Sequence, residues 1–234
     1  MRIVALDLSS TQSGVAIADV NGIGEYKKVT TLAIKPQEAN GKMLGYTTKA
    51  PKMLEGRDGR KFKAFLREGE SYVTSAEARR RVAEFKKLSR VMLLKSSGKQ
   101  LGIVLNTVKP DILIMEQNSS FNGVLTTKLL AEVAGGIYFW AGVTDTPLRV
   151  INVNTVRSML QRLVPDPDLM LNGVRVVDTK FRVKRQLVEY LTHRGVRYNV
   201  EGCSLDETDA LAQLVYFVEQ EIIRGKVQGD IIEL

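Results

Sequence analysis

Apolar residues crowd the start of the chain, Met1-Arg2-Ile3-Val4-Ala5-Leu6-Asp7-Leu8, without the alternation of a half-solvated strand. Such a run predicts a strand buried on both faces, with one carboxylate inside it. The polar residues Ser9 to Gly14 make a turn, and Val15-Ala16-Ile17-Ala18 returns as a second strand. Val29 to Ile34 predicts a third. Pro36 to Ser71 holds five glycines, two prolines and many lysines without a sustained period, and reads as an extended basic loop or hairpin. Thr74 and Glu77 then form a capping-box pair, and Val82, Phe85, Leu88 and Met92 mark one face of a long helix. Ser96-Ser97-Gly98 predicts an interruption before a further segment, Leu101 to Val108.

After the Lys109-Pro110 breaker, Asp111-Ile112-Leu113-Ile114-Met115-Glu116 repeats the form of the first run, with its acid at the carboxyl end. A helix from about Val124 to Gly142 carries Ala134-Gly135-Gly136 in its middle. Glycines are costly there, which implies close approach of another helix. Leu148 to Val153 predicts a last strand, followed by a short helix to Leu163 and a helix from Thr179 to His193. The final helix runs from Leu205 to about Ile223, with Ser204 as N-cap and Glu207 as its capping-box partner. Strands first, then strands alternating with helices, predict one α/β domain: a mixed sheet flanked by helices, with a basic insertion at 36–71 after the third strand.

Four carboxylates break this pattern. Burying an ionised Asp7 in an apolar strand costs several kcal/mol, or forces protonation, unless a cation compensates it. Glu116 could join it if the two strands pair side by side. Asp206 and Asp209, three apart, share one helix face. Either one alone would serve as ordinary compensation of the helix dipole. Together, four hard oxygen donors suit Mg²⁺ or Mn²⁺, and a pair of such ions can activate water and stabilise a leaving oxygen in phosphodiester hydrolysis.

Charge narrows the partners. The chain has 234 residues and a net charge of +8, which points to a polyanion. Between Lys42 and Lys99, 16 Lys and Arg stand against 6 Asp and Glu, a net of +10 that leaves −2 for the rest. Arg79, Arg80 and Arg81 lie in this region as candidate DNA contacts, the plain alternative being a solvated helix face. Cys203 is the single cysteine and excludes an internal disulfide; a reducing cytoplasm is the expectation. His193 is the single histidine and excludes a histidine-rich zinc site. No segment reads as a secretion signal or a membrane span.

The stretches Ile3-Val4-Ala5-Leu6-Asp7-Leu8-Ser9-Ser10-Thr11, Leu113-Ile114-Met115-Glu116-Gln117 and Asp206-Glu207-Thr208-Asp209-Ala210-Leu211-Ala212 resemble the RuvC-type Holliday junction resolvases of the RNase H-like superfamily. Divergence elsewhere is similar to the virus- or phage-encoded branch. The resemblance implies an RNase H-like fold, a homodimer packed through a helix, and paired nicks in four-way DNA made with Mg²⁺ or Mn²⁺, two ions per site. Asp7, Glu116, Asp206 and Asp209 would be the metal ligands. Phe121 would match the aromatic wedge, though displaced further from the Glu than in cellular enzymes. Lys180 and Arg157 would be the basic residues at the phosphate, with Lys184 a nearby candidate. Two other readings remain open: an RNase H-like nuclease acting on RNA or hybrid duplex, and an ATP-binding lobe like those of actin-like ATPases and sugar kinases, whose phosphate loop Asp7-Leu8-Ser9-Ser10-Thr11-Gln12-Ser13-Gly14 also resembles.

Overall fold

The computed structural model describes all residues except 10–11, 57–58, 118–123, 166–169, 172–173, 176–178, 226–230 and 233–234. The chain divides into two compact units, one of 1–35 with 100–234 and one of 36–99.

The first unit is built on a mixed sheet. Its strands are β1 (Arg2–Asp7), β2 (Ser13–Val20), β3 (Tyr26–Ile34), and, numbered after the strands of the second unit, β6 (Ile112–Glu116), β7 (Leu148–Ile151) and β10 (Ile231–Ile232). The order across the sheet is β10-β7-β6-β1-β2-β3. β1 runs antiparallel to β2 and parallel to β6, and β6 runs parallel to β7. The expected second and third strands are present and longer than the apolar pattern marked, because the flanking polar positions lie on the ladder.

Both faces of this sheet are covered, as the unbroken apolar runs require. Residues alternate between two cores. Ile3, Ala5 and Ile114 pack with residues of α3 (Val153–Leu163), α4 (Thr179–His193) and α5 (Leu205–Phe217). Val4, Leu6, Leu113 and Met115 pack on the opposite side with α2 (Val124–Val143) and the end of α1 (Ser75–Val108). The period of two therefore decides where the acids emerge. Asp7 continues the odd positions of β1, and Glu116 the even positions of β6, so both point to the α5 layer.

The second unit corrects the loop expected at 36–71. It holds a short 3₁₀ turn (Gly41–Leu44), the hairpin β4 (Lys52–Glu55) and β5 (Lys61–Ala64), and the part of α1 up to Lys99. Ala64, Val73 and Ala78 form its small core, and Tyr46 stacks on Phe65 at 4.7 Å. The expected break at Ser96-Ser97-Gly98 does not occur, since α1 is continuous; Ser97 is buried and Ser96 Oγ accepts from the Gln37 amide at 2.8 Å. A two-residue hairpin, β8 (Met170–Leu171) with β9 (Val174–Arg175), was not signalled by the sequence.

One helix expectation fails within the chain. Gly135 and Gly136 of α2 have open space around them rather than a neighbouring helix. Phe139 and Val143, on the following turns, are 74% and 69% exposed. No helix among the described residues is long and apolar enough to cross a membrane.

Candidate active site

Asp7 ends β1, one position past the pairing of Leu6 with Met115, and Glu116 follows Met115 on the adjacent strand. Parallel neighbours of equal height and matching side-chain direction bring the two acids together. Asp7 is 7% exposed and its carboxyl is held well above the usual carboxylate range, first by burial and then by the charges of Glu116 and Asp209. Burial also raises Glu116, against the hydrogen bond it shares with Asp7. Two acids buried this closely disfavour simultaneous ionisation unless a cation compensates them.

The other pair rides on α5. Ser204 and Glu207 close the capping box in both directions, at 3.3 Å and 2.9 Å, fixing where the helix starts. Asp206 and Asp209 fall in its opening turns, where the dipole favours negative charge. Helix α5 can reach the sheet here because Gly14, opposite Asp7 in the ladder, has no side chain. A Cβ on Gly14 would collide with the Asp206 carbonyl and lie 2.7 Å from the Glu207 nitrogen.

Cations complete the cluster. Lys180 Nζ, on the first turn of α4, lies 3.2 Å from Asp206 Oδ1 and 3.1 Å from Asp209 Oδ2. Burial pulls this ammonium down, but Asp209 and Asp206 outweigh it and push it up to about 12. Asp209 is 7% exposed and is raised by burial despite Lys180. Arg157, on α3, is close enough for its charge to act on both Glu116 and Asp209, and its buried Nε has no hydrogen-bond partner among the described residues. Six sequence-predicted residues, Asp7, Glu116, Asp206, Asp209, Lys180 and Arg157, therefore lie near one another at one end of the sheet.

The remaining candidates separate. Lys184 donates to the carbonyls of Glu201 and Cys203, both at 2.7 Å, so it clasps the segment leading into α5 and is engaged away from any ligand. Phe121 lies outside the described residues. Arg79, Arg80 and Arg81 belong to the second unit. Arg81 departs from the expectation of a DNA contact: it is 5% exposed, and its guanidinium holds Glu70, Glu77 and the Phe65 carbonyl. Arg80 is exposed and paired with Glu77, whereas Arg79 is exposed. The sequence reading missed Gly14 as the contact that seats α5; a glycine next to the strand-borne acid was the available signal.

Among the described residues, no three acidic, His or Cys side chains converge as a preformed metal cage. Lys180, paired with Asp206 and Asp209, compensates part of the cluster's negative charge instead. The donor set still fits a divalent cation by its chemistry: all ligands are carboxylate oxygens, two of the acids are almost fully buried, and their excess negative charge is compensated by groups that can be displaced.

No protein-family model and no curated protein sequence matches the chain. Solved structures do. Thermus thermophilus RuvC in complex with a Holliday junction substrate superposes with a TM-score of 0.53 at 11% identity, covering 98% of this chain and 99% of that one. Thermus thermophilus RuvC in a second structure gives 0.50 at 11% identity, over 95% and 98%. The same mixed sheet, flanked by helices and matched over nearly the whole of both chains, establishes that this chain has the RNase H-like fold of RuvC.

Proposed function

We propose that this chain is a metal-dependent endodeoxyribonuclease that nicks branched DNA at four-way junctions, with one active site in each subunit of a homodimer. The observation that carries the reading is the meeting of Asp7, Glu116, Asp206 and Asp209 with Lys180 at one end of the sheet. The junction as substrate is supported by the shared fold, since Thermus thermophilus RuvC was solved on such a substrate.

Asp7, Glu116, Asp206 and Asp209 would hold Mg²⁺, or Mn²⁺, as one or two ions. When bound, the metal supplies Lewis-acid activation of water and stabilises charge on the leaving 3′ oxygen. Asp7 and Glu116, both ionised, would serve as acceptors for the metal. Lys180 gives up Asp206 and Asp209 and turns its Nζ to a non-bridging phosphate oxygen. Arg157 adds a second positive charge on the Glu116 side, favouring the extra negative charge of the pentacovalent phosphorus. The buried floor under Asp7 keeps bulk water from the donor oxygens and strengthens each of these interactions.

The dimer reading rests on α2. Gly135, Gly136, Phe139 and Val143 share an exposed face, small residues beside large apolar ones, suited to packing a second copy about a two-fold axis. Phe121 is proposed as a residue that stacks at the crossover, and Arg79 and Arg80 as phosphate contacts.

Cleavage of a four-way junction, a linear duplex and an RNA–DNA hybrid in Mg²⁺ tests the assignment, with Asp7→Asn alongside. The junction should be cut in preference, and Asp7→Asn should lose cleavage while binding at least as tightly, because a negative charge near the phosphates is removed. A hybrid cut faster than the junction, or a variant as active as the native protein, would overturn it.

A further inference from the structure

Within 36–99 the chain carries 16 Lys and Arg against 7 Asp and Glu, a net of +9, which leaves −1 for the rest of the +8 total. Three acids of this unit are engaged inside it. Glu70 and Glu77 both bind Arg81, Glu77 also binds Arg80, and Glu84 accepts from the Tyr46 hydroxyl. The unit thus carries more cations than acids to pair them. Three of these, Lys63 on β5 with Arg79 and Lys86 on α1, are exposed and line one cavity of about 320 Å³. Half-buried Phe62 and Val82 form part of its wall, together with exposed Ala83.

An aromatic and aliphatic wall with three exposed cations is the chemistry of a nucleotide: a planar base to pack and phosphates to neutralise. The volume lies at the small end of ligand pockets, about 300–1,000 Å³, room for one nucleotide and too little for a duplex. A paired, stacked base cannot enter such a site, whereas an unpaired one can swing in at small cost. We infer that this cavity receives one unpaired nucleotide of a DNA strand, its base against Phe62 and Val82 and its flanking phosphates on Lys63, Arg79 and Lys86. The inference rests on the reading that the chain handles branched DNA, whose crossover and frayed ends supply unpaired bases.

The test is equilibrium binding of the full chain, without divalent metal so that nothing is cut, to a fluorescent single-stranded DNA and to a fully paired linear duplex. Ala83→Leu fills the cavity from an exposed helical position without altering charge. Affinity for the single strand should fall on the order of tenfold, within the range of one base stack, with the duplex unaffected. Ala83→Glu, which places a carboxylate there, should lower it further. Lys63→Gln and Lys86→Gln should each weaken binding of the single strand and reduce its salt slope by about 0.7. Native affinity in Ala83→Leu overturns the proposal, and so does single-stranded RNA bound more tightly than DNA. Junction cleavage by the native chain reports on the nuclease reading independently: a chain that does not cut yet loses single-strand affinity in Ala83→Leu keeps this site and loses that function.

Discussion

Replacing Gly14 by alanine tests how α5 is seated, and through it the whole acid cluster. The added Cβ would lie 2.7 Å from the Glu207 nitrogen, where ordinary contact begins at 3.4 Å, and it would also collide with the Asp206 carbonyl. Both obstacles are backbone, so no side chain can swing aside. The helix start must retreat by about 0.7 Å for the nitrogen alone, and further for the carbonyl, carrying Asp206 and Asp209 away from Asp7 and Glu116. Displacements near 1 Å in a catalytic constellation cost on the order of a hundredfold in rate. Overpacking of this kind costs roughly 1 to 3 kcal/mol of stability. Gly14→Ala should therefore fold, melt some degrees lower, bind junctions with little change and cut them about a hundredfold more slowly. Single-turnover cleavage with the melting temperature measured on the same preparation gives both numbers. Native cleavage rate together with a native melting temperature would refute the close approach of α5 to β2.

Lys180→Met should lower single-turnover cleavage by about 10²-fold or more while junction affinity holds, since the proposed role of its charge is at the reacting phosphate rather than in docking; native cleavage would remove Lys180 from the site. The ion pairs of Arg81 make the second unit acid-sensitive. Arg81 holds Glu70 at about 2, and Arg80 with Arg81 holds Glu77 at about 2, against an ordinary 4.5. These folded-state values are depressed, so their stabilisation is complete above about pH 5 and is lost as pH falls through the ordinary range toward 2. Melting temperatures across that window should fall more steeply for the native chain than for Arg81→Met, and equal slopes would dismiss the coupling. Phe139→Asp with Val143→Asp should turn a sedimenting dimer into monomers without loss of helix content, because both residues are exposed in the single chain; a dimer that persists would place the interface elsewhere.

Much of this protein is legible in one dimension. Apolar runs with a single acid name the two central strands, and the capping box at Ser204 and Glu207 fixes the start of α5 to the residue, because both signals depend on neighbours in sequence. Strand periodicity even assigns Asp7 and Glu116 to one face once their pairing register is known. That register, with Leu6 beside Met115, is a long-range choice that depends on packing both sides of the sheet, and no local signal carries it. The same holds for the charges. Arg79, Arg80 and Arg81 are equivalent in sequence, yet helix geometry turns Arg81 inward to Glu70 and Glu77 and leaves Arg79 outside. Lys180 and Lys184 are one turn apart on α4, and the fold gives the first to the acids and the second to backbone carbonyls. The low-periodicity stretch after β3 hid a compact unit because its small core draws on residues spread across the hairpin and α1. Sequence thus determined which residues could do chemistry, through composition and local pattern; tertiary structure decided which of them do it together, because proximity between distant segments is set by packing and not by spacing along the chain.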